Sequence, residues 1–216
     1  MLIEFDGRAL VIDTTPDFRQ QSLREHLERL DAVVFTHTHA DHIFGLDDVR
    51  AFNVRQKEPI PIYADHPSME ILRRVFTYIF EANYPAGGIP RLTPRLIEGP
   101  FDLWGLHIVP LPVLHGNLPV LGFRFGRTAY VTDFSTIPEA TLAMLDGVEV
   151  LILDALRHQP HPTHSTIEQS LELVKWLKPR RAFFTHIAHE LRHEPANAAL
   201  PSGVELAYDG LKLDLP

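Results

Sequence analysis

The sequence predicts a layered α/β fold of one domain, with a histidine-rich site to be explained, and three observations frame that expectation. Short apolar runs of the buried-strand kind alternate with helical stretches from end to end. No linker divides the 216 residues, which suffice for one substantial core, so a single domain over residues 1–216 is expected, with room for two layered halves. Nine of the 13 histidines are clumped, as His37, His39 and His42, then His158, His161 and His164, then His186, His189 and His193.

In order along the chain, Leu2 to Asp13 reads as a hairpin turning at Asp6-Gly7, the pair that best tolerates positive φ in a tight turn. Asp17 is placed to cap a helix reaching about Leu30, with Leu23, Leu27 and Leu30 on one stripe. Ala32–Thr36 is a buried strand, Leu46 to about Arg55 helical, and Ile60–Ala64 extended; Pro67 opens a helix to about Phe80. Tyr84–Pro100, rich in Pro and Gly, reads as a loop. Leu106–Leu114, Val120–Phe125 and Thr128–Thr132 are strand-like, the last two joined at Gly126-Arg127, and Pro138–Leu145 is a short helix. Val148–Leu153 is a further strand. Ser165-Thr-Ile-Glu168 has the capping-box pattern and opens a helix to about Leu177. Ala182–Thr185 is a strand ending at His186, and Val204–Leu213 closes as a hairpin around Asp209-Gly210.

Composition excludes several classes. Hydrophobic residues make up 45% and charged residues 22%, as in soluble globular proteins. No stretch approaches the roughly 18–20 apolar residues of a membrane span, and the first residues lack a basic segment followed by an apolar one, so a cytoplasmic location without membrane attachment is the default. The absence of cysteine removes disulfides, thiolate nucleophiles and iron–sulfur clusters, so any metal must be held by nitrogen and oxygen. A net charge of −8 argues against nucleic acid as a partner.

Thr36-His-Thr-His-Ala-Asp-His42 follows directly on the strand at 32–36. In extended backbone His37 and His39 point to one side and can grip one ion, Asp41 continues the alternation, and His42 falls on the turn toward the next helix, so these two can serve a second. A lone His-x-His is mostly chance, but four ligand-type residues within six positions at the end of an apolar strand point to a metal site. Imidazole and carboxylate suit Zn²⁺, Mn²⁺ or Fe.

This stretch resembles the His-x-His-x-Asp-His signature of the metallo-β-lactamase superfamily, and later matches follow in order: His115 after the strand at 106–114, Asp133 ending Tyr130-Val-Thr-Asp, and His186 ending Phe183-Phe-Thr-His. The resemblance covers nearly the whole chain, from Val11-Ile-Asp13 to Asp209-Gly210. It implies an αββα sandwich and a hydrolase with two divalent ions, Zn²⁺ or Mn²⁺. The first ion would be held by His37, His39 and His115 and the second by Asp41, His42 and His186, with Asp133 bridging and a hydroxide between the ions as nucleophile. Asp13 is either a carboxylate that orients ligand imidazoles or a strand-end cap, and Asp154 has the same two readings.

His158-Gln-Pro-His-Pro-Thr-His164 lies in a proline-rich loop before a helix. It resembles the His-Pro-Thr-His stretch of the superfamily's phosphodiesterase branch, related to the carbon–phosphorus-lyase-associated cyclic phosphodiesterases. That implies a catalytic role for His164, binding phosphate or protonating the leaving oxygen, alongside Asp41; the bland alternative is packing at the helix start. His189 is expected near the site and His193 at the surface, with His26, His66 and His107 structural. Members of this branch usually begin with an extra strand and a glycine-rich loop, whereas this sequence starts at Met1-Leu2 within the hairpin, so the usual first strand is expected to be lacking; Thr15 stands where the family often has glycine. A bare edge strand invites pairing with another chain, as in a homodimer. A phosphodiesterase on small or cyclic phosphate esters is the leading expectation. A carboxyl-type hydrolase of a lactone, thioester or β-lactam, and a metal-binding module without catalysis, are the alternatives.

Overall fold

The computed structural model describes residues 1–81 and 88–216. They fall into two compact units, Met1–Gly99 and Pro100–Pro216. Among the described residues, no helix is long and apolar enough to cross a membrane.

The first unit holds strands β1 (Leu2–Phe5), β2 (Arg8–Ile12), β3 (Ala32–Val34), β4 (Ile60–Ala64) and β5 (Leu92–Leu96) in that spatial order. β1 and β2 are antiparallel, with Phe5 opposite Arg8, and the two-residue turn has φ of 47° at Asp6 and 71° at Gly7, as the sequence predicts. The remaining pairs are parallel. Helices α1 (Phe18–Arg24), α2 (Ala40–Ile43), α3 (Arg50–Gln56, continuing a 3-10 turn at Leu46–Val49), α4 (His66–Val75) and α5 (Thr77–Phe80) complete the unit. Val33, Phe35, Ile60 and Ile62 pack with Leu46, Val49, Phe52 and Leu72 in its core.

The second unit adds β6 (Phe101–Leu103), β7 (Leu106–His115), β8 (Leu118–Phe125), β9 (Thr128–Val131), β10 (Val150–Asp154), β11 (Arg181–Thr185) and β12 (Val204–Leu206). Their spatial order is β12-β11-β10-β9-β8-β7-β6, parallel from β12 to β9 and antiparallel from β9 to β6. Helices α6 (Glu139–Met144), α7 (Ile167–Leu177) and α8 (His193–Ala199) pack on it through Met144, Leu171, Val174 and Ala196 against Val131, Leu151, Leu153 and Phe184.

Several local expectations are corrected. α1 stops at Arg24 because His26 takes φ 53° and turns the chain; Leu23 is left 66% exposed, and Leu30 enters the core from non-helical backbone. Asp17 caps no backbone N–H; its carboxylate accepts from Thr15 Oγ1 and Gln21 Nε2. The helix expected from Pro67 to Phe80 is broken at Phe76 into α4 and α5. Within the stretch expected as a loop, residues 84–87 lie outside the described residues, and β5 follows, its backbone paired with β4. The capping box is formed by Thr166 and Gln169, one residue on from the pattern expected. After β12 the chain turns at Tyr208–Leu211 without a returning strand, since β12 pairs in parallel with β11 instead.

Candidate metal centre

In the first unit the site residues gather where the parallel strands β2 and β3 end. Asp13 directly follows β2 at φ 60°, a left-handed conformation uncommon in non-glycine residues. Its buried carboxylate accepts from Thr36 N and Thr36 Oγ1 at 2.8 Å and from His42 Nδ1 at 2.9 Å. Thr36 Oγ1 also lies 2.9 Å from His37 Nδ1. A hydroxyl has one proton, and giving it to Asp13 leaves Thr36 Oγ1 to accept from His37 Nδ1. Asp13 therefore sets the tautomer of both histidines, directly for His42 and through Thr36 for His37, and makes Nε2 the lone-pair nitrogen of each. Asp13 is the orienting carboxylate, not only a strand-end cap. The His37 ring lies 4.6 Å from that of His39 and 4.1 Å from that of His42. The alternation expected through Asp41 stops at His39, the N-cap of α2; Asp41 and His42 occupy that single turn, with Asp41 Oδ2 3.4 Å from His42 Nε2.

In the second unit Asp133, Asp154 and His186 stand at the carboxyl ends of the neighbouring parallel strands β9, β10 and β11, the edge at which open α/β sheets bind ligands. Asp133 (φ 55°) and His186 (φ 57°) share the left-handed conformation of Asp13, and His186 Nε2 lies 3.3 Å from Asp133 Oδ2. Thr132 Oγ1 donates to Asp133 Oδ1 at 2.6 Å. His115, the last residue of β7, donates from Nδ1 to the carbonyl of Thr163 at 2.8 Å, which again selects Nε2 as its lone-pair nitrogen.

His164 is held from Nδ1 by Asp154 Oδ2 at 2.8 Å, stacks on His186 at 4.6 Å between ring centroids and meets His115 edge-on at 4.5 Å. Ligand atoms of Asp154, His164 and His186 all lie within 4.8 Å of one another. Burial pushes the Asp154 carboxyl above its usual range, against the hydrogen bond from His164 and the charges of His186 and His164; Asp133 adds to the rise. Asp154 Oδ2 also accepts from Phe134 N at 3.2 Å, so Asp154, like Asp13, orients its neighbours.

The other histidines sort as follows. His158 pairs with Glu168 at the surface, 2.7 Å apart. His161 is 5.0 Å from His164 between ring centroids, and burial, with His164 and Arg157 nearby, lowers its pKa. His107 pairs with exposed Asp102, and His193 opens α8 against Tyr208. Sequence reasoning passed over Thr36, Thr132 and Thr163, although a threonine precedes His37, His39, Asp133, His164 and His186 alike.

The chain matches the model of the β-lactamase superfamily domain over residues 8–187, a span that includes every residue named in the two clusters. A solved structure described as a new diphosphatase of the PhnP family superposes with a TM-score of 0.92 at 44% identity, covering 100% of this chain and 83% of that one. An octanoyltransferase of Porphyromonas gingivalis is 33% identical over 215 residues, 98% of this chain and 43% of that protein. Ribonuclease Z of Bradyrhizobium diazoefficiens is 28% identical over 134 residues, 60% of this chain and 44% of that protein. The chain thus spans less than half the length of either of these two relatives. The expected two-sheet α/β architecture is borne out, and the chain belongs to the β-lactamase superfamily, with the metallo-β-lactamase fold.

Proposed function

We propose that the chain is a dinuclear metal-dependent phosphodiesterase that acts, as a single domain over residues 1–216, on small or cyclic phosphate esters. The observation that carries this reading is the seating of His164, fixed by Asp154 at 2.8 Å with its ring against His115 and His186. An imidazole held from Nδ1 keeps Nε2 for other work, to bind a phosphate oxygen or give a proton to the leaving oxygen. Similarity to the diphosphatase of the PhnP family, at 44% identity, supports a phosphorus-centred substrate.

The donor chemistry fits two divalent ions, the first held by His37, His39 and His115 and the second by Asp41, His42 and His186, with Asp133 shared. His37, His42 and His115 each give Nδ1 to an acceptor, which leaves Nε2 as the donor to metal, the arrangement ligand histidines adopt. Neutral imidazole and carboxylate suit Zn²⁺ or Mn²⁺. Such ions, when bound, bring the pKa of water toward neutrality and clamp phosphate oxygens. Asp41 is read as both ligand and catalytic carboxylate.

The test is turnover of bis-p-nitrophenyl phosphate, a lactone and a β-lactam by protein loaded with Mn²⁺ or Zn²⁺. We expect phosphodiester turnover that chelation abolishes, and a fall in kcat of about 10²–10⁴-fold in His164→Ala at unchanged metal content. Unaltered turnover by that variant would remove His164 from the chemistry. Preference for the lactone would favour carboxyl-type hydrolysis, a reading to which the similarity to the octanoyltransferase lends some support. Turnover of none of the three would leave a metal-binding module.

A further inference from the structure

The turn between β7 and β8 interlocks with the loop that carries His164. His115 Nδ1 donates to the Thr163 carbonyl at 2.8 Å, so a backbone atom one residue before His164 fixes the His115 tautomer. Gly116, the next residue, has φ +62°, and a Cβ there would lie 2.9 Å from Thr163 Cγ2 and 3.9 Å from Pro162 O. Gly116 has little room to retreat: its N–H donates to Ser135 Oγ at 3.0 Å, and Ser135 Oγ donates to Leu114 O at 3.1 Å. Thr163 is held from its other side, with Oγ1 3.2 Å from His161 Nδ1. Turning its methyl away from Gly116 would break that contact.

We propose that Gly116 is a positioning residue: the space left by its missing side chain seats the Thr163 methyl, and that seat sets the Thr163 carbonyl on His115 and the His164 ring beside His186. The inference rests on the phosphodiesterase reading, in which His115 at the end of β7 and His164 in its loop serve one reaction. A methyl carbon added at 2.9 Å from another forces the 158–164 loop outward. A displacement of about 1 Å in a catalytic group can lower the rate about 100-fold.

Gly116→Ala, Thr163→Ser and the double variant separate this role from simple strain. The strain of a side chain at positive φ is the same in both backgrounds, whereas serine removes only the methyl and keeps the Oγ that faces His161. We expect Gly116→Ala to lower kcat on bis-p-nitrophenyl phosphate by roughly 10–100-fold with KM within about twofold. In the Thr163→Ser background the same substitution should cost less than about threefold, because the clashing carbon is gone. Imidazole ¹⁵N–¹H correlation spectra of the metal-free protein give a second readout. The His115 Nδ1–H signal should move in Gly116→Ala and return in the double variant. An equal kcat loss in both backgrounds, or a His115 signal unmoved by Gly116→Ala, overturns the proposal. If the unaltered protein hydrolyses no phosphate ester, the phosphodiesterase reading fails, and the imidazole signals still decide the interlock.

Discussion

Replacing Asp13 with asparagine keeps the side-chain volume and changes one atom where three donors converge. Asn can retain the Oδ1 position that accepts from Thr36 N, but its amide nitrogen then faces both Thr36 Oγ1 and His42 Nδ1. Donor would meet donor, so His42 must shift its proton to Nε2, the nitrogen read as facing the metal. Two charge-assisted hydrogen bonds are lost at a residue only 5% exposed. At about 1.5–3 kcal/mol for each, discounted because the amide can still donate once His42 has changed tautomer, the metal-free protein should lose about 2–4 kcal/mol. For a chain of this size that corresponds to a fall in Tm of roughly 5–15 °C. Metal affinity should fall about 10–100-fold, as for other carboxylates that orient ligand histidines. Urea denaturation in the presence of chelator reads the first quantity, and competition against a chromophoric chelator reads the second. A variant with stability within about 0.5 kcal/mol of the parent and metal affinity within about twofold would refute the relay from Asp13 through Thr36 to His37 and His42.

Three further outcomes follow from other parts of the fold. Burial alone would raise the Asp31 carboxyl, but hydrogen bonds from Arg29, Ala9 N and Arg8 outweigh it and hold its pKa low. A depressed carboxylate contributes stability above its unfolded pKa of about 3.9 and loses it as pH falls through the lower folded value; the urea-midpoint gap between the parent and Asp31→Asn should be widest near neutrality and close in acid, and a gap constant down to about pH 2.5 would contradict this. Gly45 has φ −88°, so alanine meets no backbone strain there, yet its Cβ would stand 2.2 Å from Thr15 O and 2.7 Å from Phe18 Cβ. Gly45→Ala should therefore cost about 1–3 kcal/mol through displacement of α2, and a neutral effect in urea denaturation would show that the turn yields freely. At the start of α7, Thr166→Ala should cost about 1 kcal/mol and exposed Glu168→Ala less than about 0.5 kcal/mol, and the reverse order would restore the register first expected from the sequence.

The sequence was most legible where local chemistry and tertiary packing agree. Asp6-Gly7 specifies its turn by itself, and the apolar runs leading to His37, His115, Asp133 and His186 each place a site residue within three residues of a strand end. Legibility failed where a distant partner decides. Leu92–Leu96 carries Pro94 and two exposed residues, and only the backbone groups of β4 make it a strand. Ser165-x-x-Glu168 and Thr166-x-x-Gln169 are overlapping capping patterns, and what selects the second is that Ser165 Oγ is already engaged inside, with Ser170 Oγ at 2.8 Å and Thr166 O at 3.3 Å. The leucine stripe drawn through Leu23 and Leu30 assumed one helix, which the left-handed backbone at His26 ends. Within the candidate centre the histidines and aspartates were readable as types with the right spacing. The threonines were not, because a hydroxyl that relays a tautomer has no spacing rule of its own.

The left-handed backbone at Asp13, Asp133 and His186 bears on how this protein can be engineered. Glycine would occupy these positions with less strain than the residues present, and asparagine tolerates the conformation better than histidine does. A selection for thermal stability alone, run on metal-free protein, should enrich such replacements at His186, where imidazole is wanted, whereas the three hydrogen bonds that converge on Asp13 hold that position against them. Stabilising libraries for this fold are therefore better built with these three codons fixed, and with variation directed to exposed apolar sites such as Leu23, Val54 and Trp176.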